Sequence, residues 1–312
     1  GARPPTQVLR DFVDQNREAY GVEPICKVLQ IAPSGYRRHA ARKRNPQLLC
    51  GRAKRDETLM SQIQAVWQAN MQVYGADKVW HQMNREGTKV ARCTVERLMK
   101  RMGLHGVRRG KVIRTTVPDK AAPCPLDRVN RQFKADRPNQ LWVSDFTYVS
   151  TWQGWQYVAF VIDVFARRIV GWRVSSSMRT DFVLDALEQA LFDRQPERAD
   201  ALIHHSDRGS QYVSILYTER LAQAGIEPSV GSRGDSYDNA LAETINGLYK
   251  AELIHRRAPW KTKEALELAT LEWVAWFNHH RLLSSIGYIP PAEAEENYYR
   301  QLAGKNETEV ST

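Results

Sequence analysis

The spacing of apolar residues changes near residue 138, and this change divides the chain into two kinds of structure. Before it, apolar residues recur three to four positions apart in short segments, which predicts helices. In the first segment the apolar stripe consists of Val8, Leu9, Phe12 and Val13. After residue 138, short apolar segments of strand length alternate with segments of helical spacing, which predicts a mixed α/β structure.

Two pairs of short helices are predicted in the first part. One pair covers residues 22–44, with a break at Ile31–Pro33 and Ser34 as the N-cap of its second helix. The other covers residues 74–104, and its second helix begins near Ala91. Two short helices joined by a tight turn are typical of a helix-turn-helix, whose second helix enters the major groove of DNA. The alternative is a basic helical hairpin that only packs on a neighbour.

Basic residues mark the candidate DNA contacts of this part. The polar face of the helix after Ala91 would carry Arg92, Arg97 and Lys100. Residues 106–138 have weak periodicity, four prolines and many Lys and Arg residues, which predicts an extended basic linker. Arg108 and Arg109 are its candidate DNA contacts, and a solvated tether is the alternative.

The second part predicts one α/β domain. Strands are predicted over residues 141–150, 155–165, 169–177, 199–207 and 227–230, and helices over 180–192, 213–225, 236–250 and 262–279. Three consecutive strands followed by alternating helices and strands predict a mixed sheet covered by helices, in the order of a ribonuclease-H-like core. The predicted organisation is two helix-turn-helix regions, the linker, the ribonuclease-H-like core and a tail, over residues 1–60, 61–105, 106–138, 139–300 and 301–312.

Charge and composition narrow the class of protein. Residues 1–140 contain 28 Lys and Arg against 12 Asp and Glu, and residues 141–312 contain 17 against 23. A basic half suits phosphate contacts on nucleic acid, and an acidic half suits carboxylates gathered around a metal. The four cysteines are scattered, which indicates neither a disulfide framework nor a zinc site. The longest apolar run has nine residues, too few to cross a bilayer, and together with the scattered cysteines this predicts a cytoplasmic protein.

Three acidic residues are the candidate catalytic groups. Asp145 lies inside the first predicted strand, where a charge is costly unless it is paired or binds a cation. Asp207 ends the fourth strand, and Glu243 lies in the helix over residues 236–250. In a ribonuclease-H-like sheet the first and fourth strands are neighbours, so both aspartates would lie within reach of one metal ion. The competing acids are Asp163, Asp181, Asp235 and Asp238, of which Asp163 is the strongest because its strand looks buried.

The helix of Glu243 carries a narrow polar stripe. At 100° per residue, Asn239, Glu243, Asn246 and Lys250 fall within roughly 60° of one another, opposite an apolar face. Asn239, Asn246 and Lys250 are candidate DNA contacts on this stripe. A solvated amphipathic helix is the commoner explanation for a single glutamate. Against it, the stripe lacks the mixed Glu/Lys pairs of an ordinary surface. Three carboxylates can hold two Mg²⁺ ions, with Mn²⁺ as a substitute, and such sites cleave phosphodiesters without a side-chain nucleophile.

Several segments together resemble the IS-three (IS3) family of insertion-sequence transposases, within the retroviral-integrase (DDE) superfamily. The resemblance rests on "YGADKVW", "TVERLMKRMGL", "RPNQLWVSDFTYV", "YVAFVIDVFARRIVGW", "HHSDRGSQY", "SYDNALAETINGLYKAELI" and "FNHHRLLSSIGYIPPAEAE". It covers almost the whole chain and implies that the chain is the catalytic frame of the element. The family often has a histidine or polar residue where Leu283 stands here.

The resemblance implies a function and its residues. Asp145, Asp207 and Glu243 would be the catalytic triad, with Lys250 beside the DNA end and Asn239 next to the active site. The enzyme would cleave the element ends and join the freed 3′-OH to DNA by transesterification. Its partners would be terminal repeats and target DNA, a second copy in a synaptic complex, and an upstream-frame protein or fusion. The alternatives are a nuclease that only hydrolyses and a non-catalytic DNA-binding regulator.

Overall fold

The computed structural model describes residues 4–108, 135–197, 201–206, 215–230 and 240–310, without the side chains of Ile215, Val230 and residues 305–310. Among the described residues, six α-helices precede the sheet: α1 (Thr6–Tyr20), α2 (Val22–Val28), α3 (Pro33–Arg44), α4 (Gly51–Ala69), α5 (Ala76–Arg85) and α6 (Arg92–Met102). The strands and helices that follow in the described ranges are β1 (Leu141–Thr151), β2 (Gly154–Asp163), β3 (Arg168–Ser175), α7 (Thr180–Arg194), β4 (Ile203–Ser206), α8 (Ile215–Gln223), β5 (Glu227–Val230) and α9 (Ala240–Tyr249). The chain continues through a π-helix (Lys250–Ile254), α10 (His255–Arg257), α11 (Lys263–His279) and α12 (Pro291–Val310).

The predicted helix pairs are present, with one capping residue corrected. In the first pair, α3 begins at Pro33 with Ala32 as its N-cap, so the predicted cap Ser34 lies inside the helix. Proline is favoured at the first helical position because its φ is already helical and it has no N–H to satisfy. In the second pair, α6 begins at Arg92, next to the predicted start near Ala91, and ends at Met102, where the left-handed backbone of Gly103 terminates the helix.

The sheet has the strand order β3-β2-β1-β4-β5. Strands β1, β2 and β3 are antiparallel neighbours, whereas β4 is parallel to β1 and β5 is parallel to β4. The predicted adjacency of the first and fourth strands is therefore confirmed. The β1–β2 hairpin turns at Gly154, whose φ of 102° is a conformation that glycine adopts without strain.

Alternating side chains of β1 contribute to two different cores. Leu141, Val143 and Val149 are buried in a core that also contains residues of α9 and α11. Trp142 faces the opposite core, which is formed with α7. There α7 lies so close to β3 that a Cβ on Gly171 would be 2.1 Å from the carbonyl oxygen of Ala186. The sheet is thus covered on both faces, and the odd-numbered positions of β1 face the helix that carries Glu243.

The second helix pair packs directly on the catalytic core. Buried residues of α4, α5 and α6 belong to the same apolar cluster as those of α9 and α11. The Tyr74 hydroxyl accepts a hydrogen bond from Leu282 N (2.7 Å) and donates one to the His280 carbonyl (3.0 Å). The Trp276 indole donates to Asn70 Oδ1 at 3.3 Å. Helices α4–α6 therefore form one packed body with the core.

Two predicted domain limits fall inside helices. The limit between residues 60 and 61 lies in the middle of α4, and the limit between 300 and 301 lies within α12. Helix α4 supplies Leu59, Ile63 and Val66 to the shared core, so it belongs with α5 and α6. Helices α1–α3 have a separate small core around Val13 and Tyr36. Among the described helices, none is long and apolar enough to cross a bilayer.

Candidate active site

Asp145 is half-buried on β1 and its carboxylate is held from two sides. Its Oδ1 accepts from the backbone N–H of Phe146 at 2.8 Å, and its Oδ2 accepts from Asn246 Nδ2 at 2.9 Å. A carboxylate that accepts N–H donors is favoured in its charged form. The hydrogen bond from Asn246 also joins the middle of the sheet to α9, the helix of Glu243.

The pairing between β1 and β4 is relevant to Asp207, the second predicted catalytic aspartate. The parallel pairing ends with Ser144 opposite Ser206. In the sequence each of these serines is followed at once by an aspartate, Asp145 and Asp207. Asp207, Asn239 and Arg109 lie outside the described residues, as do the competing acids Asp235 and Asp238.

Glu243 and Asn246 occupy successive turns of α9. Glu243 reaches solvent, and its partial burial raises the pKa of its carboxyl above the ordinary value. Asn246 is buried, with 8% of its side chain exposed, and its Oδ1 has no hydrogen-bond partner among the described residues. The prediction grouped Asn246 with the DNA contacts. The structure instead directs its amide N–H to Asp145.

Lys250 lies one further turn along, at the first residue of the π-helix. Its ammonium is 4.8 Å from the centre of the Tyr148 ring on β1, a cation–π contact. The pKa of Lys250 lies below its ordinary value because partial burial disfavours the charged form. The nearby charge of Asp145 offsets part of this effect. Of the predicted stripe, Asn246 and Lys250 lie on the side of α9 that faces Asp145. The helical spacing places Glu243 on the same face, and its role stays a prediction.

These groups fit a divalent cation. Asp145 and Glu243 supply carboxylate oxygens and Asn246 leaves an amide oxygen unpaired, and hard oxygen donors are what Mg²⁺ prefers. Within the described ranges, no three His, Cys, Asp or Glu side chains gather as metal ligands. The third predicted ligand, Asp207, is outside those ranges.

Asp163, the strongest competitor for a place in the triad, is instead held by hydrogen bonds in the protein interior. It is fully buried, and its carboxylate accepts from the backbone N–H groups of Asn139 (2.7 Å) and Phe165 (2.9 Å). Arg194 lies 3.5 Å from it and forms an ion pair with Glu295. Burial raises the pKa of Asp163 to about 6. The other described competitor, Asp181, lies in the exposed first turn of α7.

A buried hydroxyl–imidazole network lies next to Asp145 and was not predicted. His204 on β4 has its Nε2 2.7 Å from Ser144 Oγ and 3.1 Å from the hydroxyl of Tyr217. Burial lowers the pKa of His204 to about 3, so the ring is neutral. The network ties β1, β4 and α8 together beside the active-site edge. The sequence did contain a signal for this network, the pair of histidines in the fourth predicted strand. Buried polar groups need hydrogen-bond partners, so such a pair predicts polar neighbours.

The basic residues of the second helix pair have different surroundings. Arg97 forms two hydrogen bonds to the carboxylate of Asp56 on α4, at 2.8 and 3.1 Å. Arg92 is exposed and lies 3.7 Å from Glu96. Lys100 and Arg108 are exposed. Arg97 therefore braces α6 against α4, while the other three present their charges at the surface.

Family models match most of the chain. A model described as "Integrase core domain" matches residues 135–236, and a second with the same description matches residues 224–291. A model described as "HTH-like domain" matches residues 54–112, which begins within α4. Together with the strand order, the integrase-core match identifies residues from β1 onward as a ribonuclease-H-like fold.

Two solved structures are partly similar to this chain, at low sequence identity. The catalytic core domain of HTLV-2 integrase in complex with magnesium has a TM-score of 0.41 at 16% identity, and covers 51% of this chain and 98% of that one. The simian T-cell lymphotropic virus intasome in complex with PP2A regulatory subunit B56 gamma has a TM-score of 0.44 at 14% identity, and covers 69% of this chain and 70% of that one.

Curated relatives align over nearly their whole length. The transposase for insertion sequence element IS629 of Shigella sonnei is 60% identical over 94% of this chain and 98% of that protein. The putative transposase for IS986/IS6110 of Mycobacterium tuberculosis is 57% identical over 88% of this chain and 98% of that protein. Transposase InsF for insertion sequence IS3A of Escherichia coli is 28% identical over 91% of this chain and 97% of that protein. The chain belongs to the IS3 family of insertion-sequence transposases, DDE-type enzymes that carry out DNA transposition.

Proposed function

We propose that Asp145, Asp207 and Glu243 form the catalytic triad of this transposase and hold two Mg²⁺ ions, which Mn²⁺ can replace. The observation that carries the proposal is the hydrogen bond from Asn246 to Asp145, which sets the Glu243 face of α9 against the strand of Asp145. The pairing of Ser144 with Ser206 supports the inclusion of Asp207, the residue that follows Ser206.

Each residue has a distinct role in this proposal. When bound, the metal ions would supply a nucleophile at neutral pH and stabilise the charge on the attacking and leaving oxygens. Asn246 fixes the carboxylate of Asp145, and Lys250 places its ammonium beside a DNA phosphate. In the first reaction water hydrolyses the strand at the element end and releases a 3′-OH. In the second, this 3′-OH attacks a phosphodiester of another strand, whose own 3′ oxygen leaves.

The DNA contacts are proposed at several places along the chain. Lys250 and Asn239 act beside the DNA end, and Arg92 and Lys100 contact DNA through α6. Arg108 and Arg109 contact the backbone through the basic linker. Since both guanidinium contacts of Arg97 go to Asp56, its contribution to DNA binding is indirect, through the position of α6.

The proposed partners are the terminal inverted repeats of the element, target DNA and a second copy of the chain, with an upstream-frame protein or fusion as a further partner. The protein would act in the cytoplasm, at the nucleoid. The proposed units are residues 1–50, 51–105, 106–138 and 139–310, with the first limit moved so that α4 stays whole.

A strand-transfer assay with end-labelled element DNA tests the proposal. Asp145→Asn, Asp207→Asn and Glu243→Gln are each expected to abolish both cleaved and joined products while DNA binding persists. Glu264→Gln, an exposed acid on α11, is the matched control and should keep full activity. Full activity in any one of the three triad variants would remove that residue from the triad. Products that are cut but never joined by the unmodified protein would indicate hydrolysis alone.

A further inference from the structure

A basic groove lies between α4 with the segment that follows α6 on one side and the π-helix with α10 on the other. Its volume is about 500 Å³, within the size range of ligand clefts. The side chains that define this junction groove are those of Trp67, Gln72, His105, Arg108, His255 and Arg256. Among the described residues that line it, none carries a carboxylate, whereas two are arginines and two are histidines.

The groove continues the face on which Lys250 lies. Ala251, the residue after Lys250, lines the groove, and so does His255. The backbone N–H of His255 donates to the carbonyl of Lys250, the i to i+5 bond of a π-helix, so His255 lies one turn beyond Lys250. The same π-helix turns Glu252 inward to a buried ion pair with Arg281. The acidic side chain of this turn is therefore kept out of the groove.

Arg256 is held in place at the groove. Its guanidinium donates to the Met71 carbonyl at 2.6 Å and to Gln72 Oε1 at 3.4 Å. These bonds engage two of its five N–H donors. Burial and the neighbouring charge of Arg257 lower the pKa of Arg256, so its charged form would be stabilised by an anion.

The groove wall opposite Arg256, formed by Trp67 and residues 105–108, is also held by hydrogen bonds and close packing. The indole of Trp67 donates to the carbonyl of His105 at 3.2 Å, and Val107 N donates to the Val73 carbonyl at 3.0 Å. Gly106 lies so close to the α4–α5 turn that a Cβ on it would be 2.5 Å from Gly75 N. The cations on this wall are thus presented by a packed backbone, which lowers the entropy cost of binding.

We propose that the junction groove binds the phosphodiester backbone of the DNA whose end is processed at the triad, with Arg108 and Arg256 as its two phosphate contacts. This inference rests on the proposed function, because it extends the DNA path from Lys250 along the same helix. Histidine N–H groups suit phosphate oxygens as additional donors. A small-molecule ligand fits less well, since the groove is open and lined by cations on both walls.

The salt dependence of DNA binding tests this assignment with the full chain. Each lost phosphate contact on duplex DNA lowers the slope of log K against log salt by about 0.9. Arg108→Gln and Arg256→Gln are each expected to flatten the slope by about this amount for element-end DNA, measured without divalent metal so that no strand is cut. Arg257→Gln is the matched control, because Arg257 is the next residue and pairs with Glu272 at 3.3 Å. It should keep the slope of the unmodified protein.

Two further comparisons make the outcome decisive. If Arg256→Gln alone loosens the fold, detected as a lower melting temperature, the exposed Arg108 decides the result. An unchanged slope in Arg108→Gln would then overturn the groove assignment. Glu243→Gln should lose strand transfer and keep the slope. An active Glu243→Gln protein would refute the triad and leave the groove result standing, so the two proposals fail separately.

Discussion

The amide nitrogen of Asn246 lies 2.9 Å from Oδ2 of Asp145, and this bond joins a helix to the middle strand of the sheet. The donor is buried and comes from the turn that follows Glu243. It therefore sets both the direction of the Asp145 carboxylate and the height of α9 above the sheet. An uncharged amide therefore holds the carboxylate of Asp145, which we propose as a member of the triad.

Replacing Asn246 should impair activity more than stability. Asn246→Ala removes the donor and leaves Oδ2 of Asp145 without this partner, and such changes around a metal site typically cost about 10- to 100-fold in metal affinity or activity. A Mg²⁺ titration of strand cleavage would show the loss as a higher metal requirement. Asn84→Ala, an exposed asparagine on α5, is the control. An Asn246→Ala protein with an unchanged metal requirement would contradict this role.

Asp163 should make stability depend on pH in an acidic window. Its pKa is about 6 in the folded protein, above the ordinary carboxyl value, so between about pH 4 and pH 6 the folded state keeps a proton that the unfolded state has lost. This contribution to stability is complete below about pH 4 and disappears as the pH rises to about 6. Denaturant unfolding at several pH values measures it. Asp163→Asn should flatten the profile in that window, and an unchanged slope would disprove the assignment.

Gly171 should not tolerate even one methyl group. A Cβ there would lie 2.1 Å from the Ala186 carbonyl, so Gly171→Ala must push α7 away from β3. Overpacking of this kind costs about 1–3 kcal/mol or more. Gly35→Ala is the matched control, because nothing lies within 4 Å of its Cβ position on α3. It should be neutral or raise stability by up to about 1 kcal/mol. Denaturant midpoints of the two variants test the difference.

Replacing only one member of the buried ion pair Arg281–Glu252 should strongly lower the free energy of unfolding. Their side chains are 5% and 7% exposed, so Glu252→Leu would leave a buried guanidinium without its partner. Removing one member of such a pair typically costs about 3–5 kcal/mol. The double variant Glu252→Leu/Arg281→Met should recover much of that loss, since no charge then remains buried. A double variant as unstable as the single one would show that the charges themselves are required.

Much of the catalytic core could be predicted because its strands have a clear local signal. The apolar run of β2 and the alternation in β1 fix their positions to within a few residues, and Thr262 caps α11 as a threonine before a helical stripe should. The stripe on α9 was also predictable, since helical geometry alone places Glu243 and Lys250 on one face.

Tertiary contacts account for what the sequence did not reveal. A helical projection does not show which residue of a polar stripe points into the protein. Asn246 was therefore predicted to contact DNA, whereas in the structure it donates a hydrogen bond to Asp145. Arg97 was assigned to DNA because its acceptor, Asp56, lies 41 residues away on another helix. The docking of α4–α6 on the core also escaped prediction, because the basic linker made the two parts look like separate domains.

The hydroxyl of Tyr74 bonds at once to the backbone of His280 and Leu282, at the end of α11. Neither α4–α6 nor the end of α11 can unfold without breaking both bonds and opening the apolar cluster that they share. We therefore expect the two regions to unfold as one cooperative unit and to form one block of slowly exchanging amides. We expect that a transposase built in this way does not release α4–α6 as a free module, so that repositioning these helices on DNA would move the catalytic core with them.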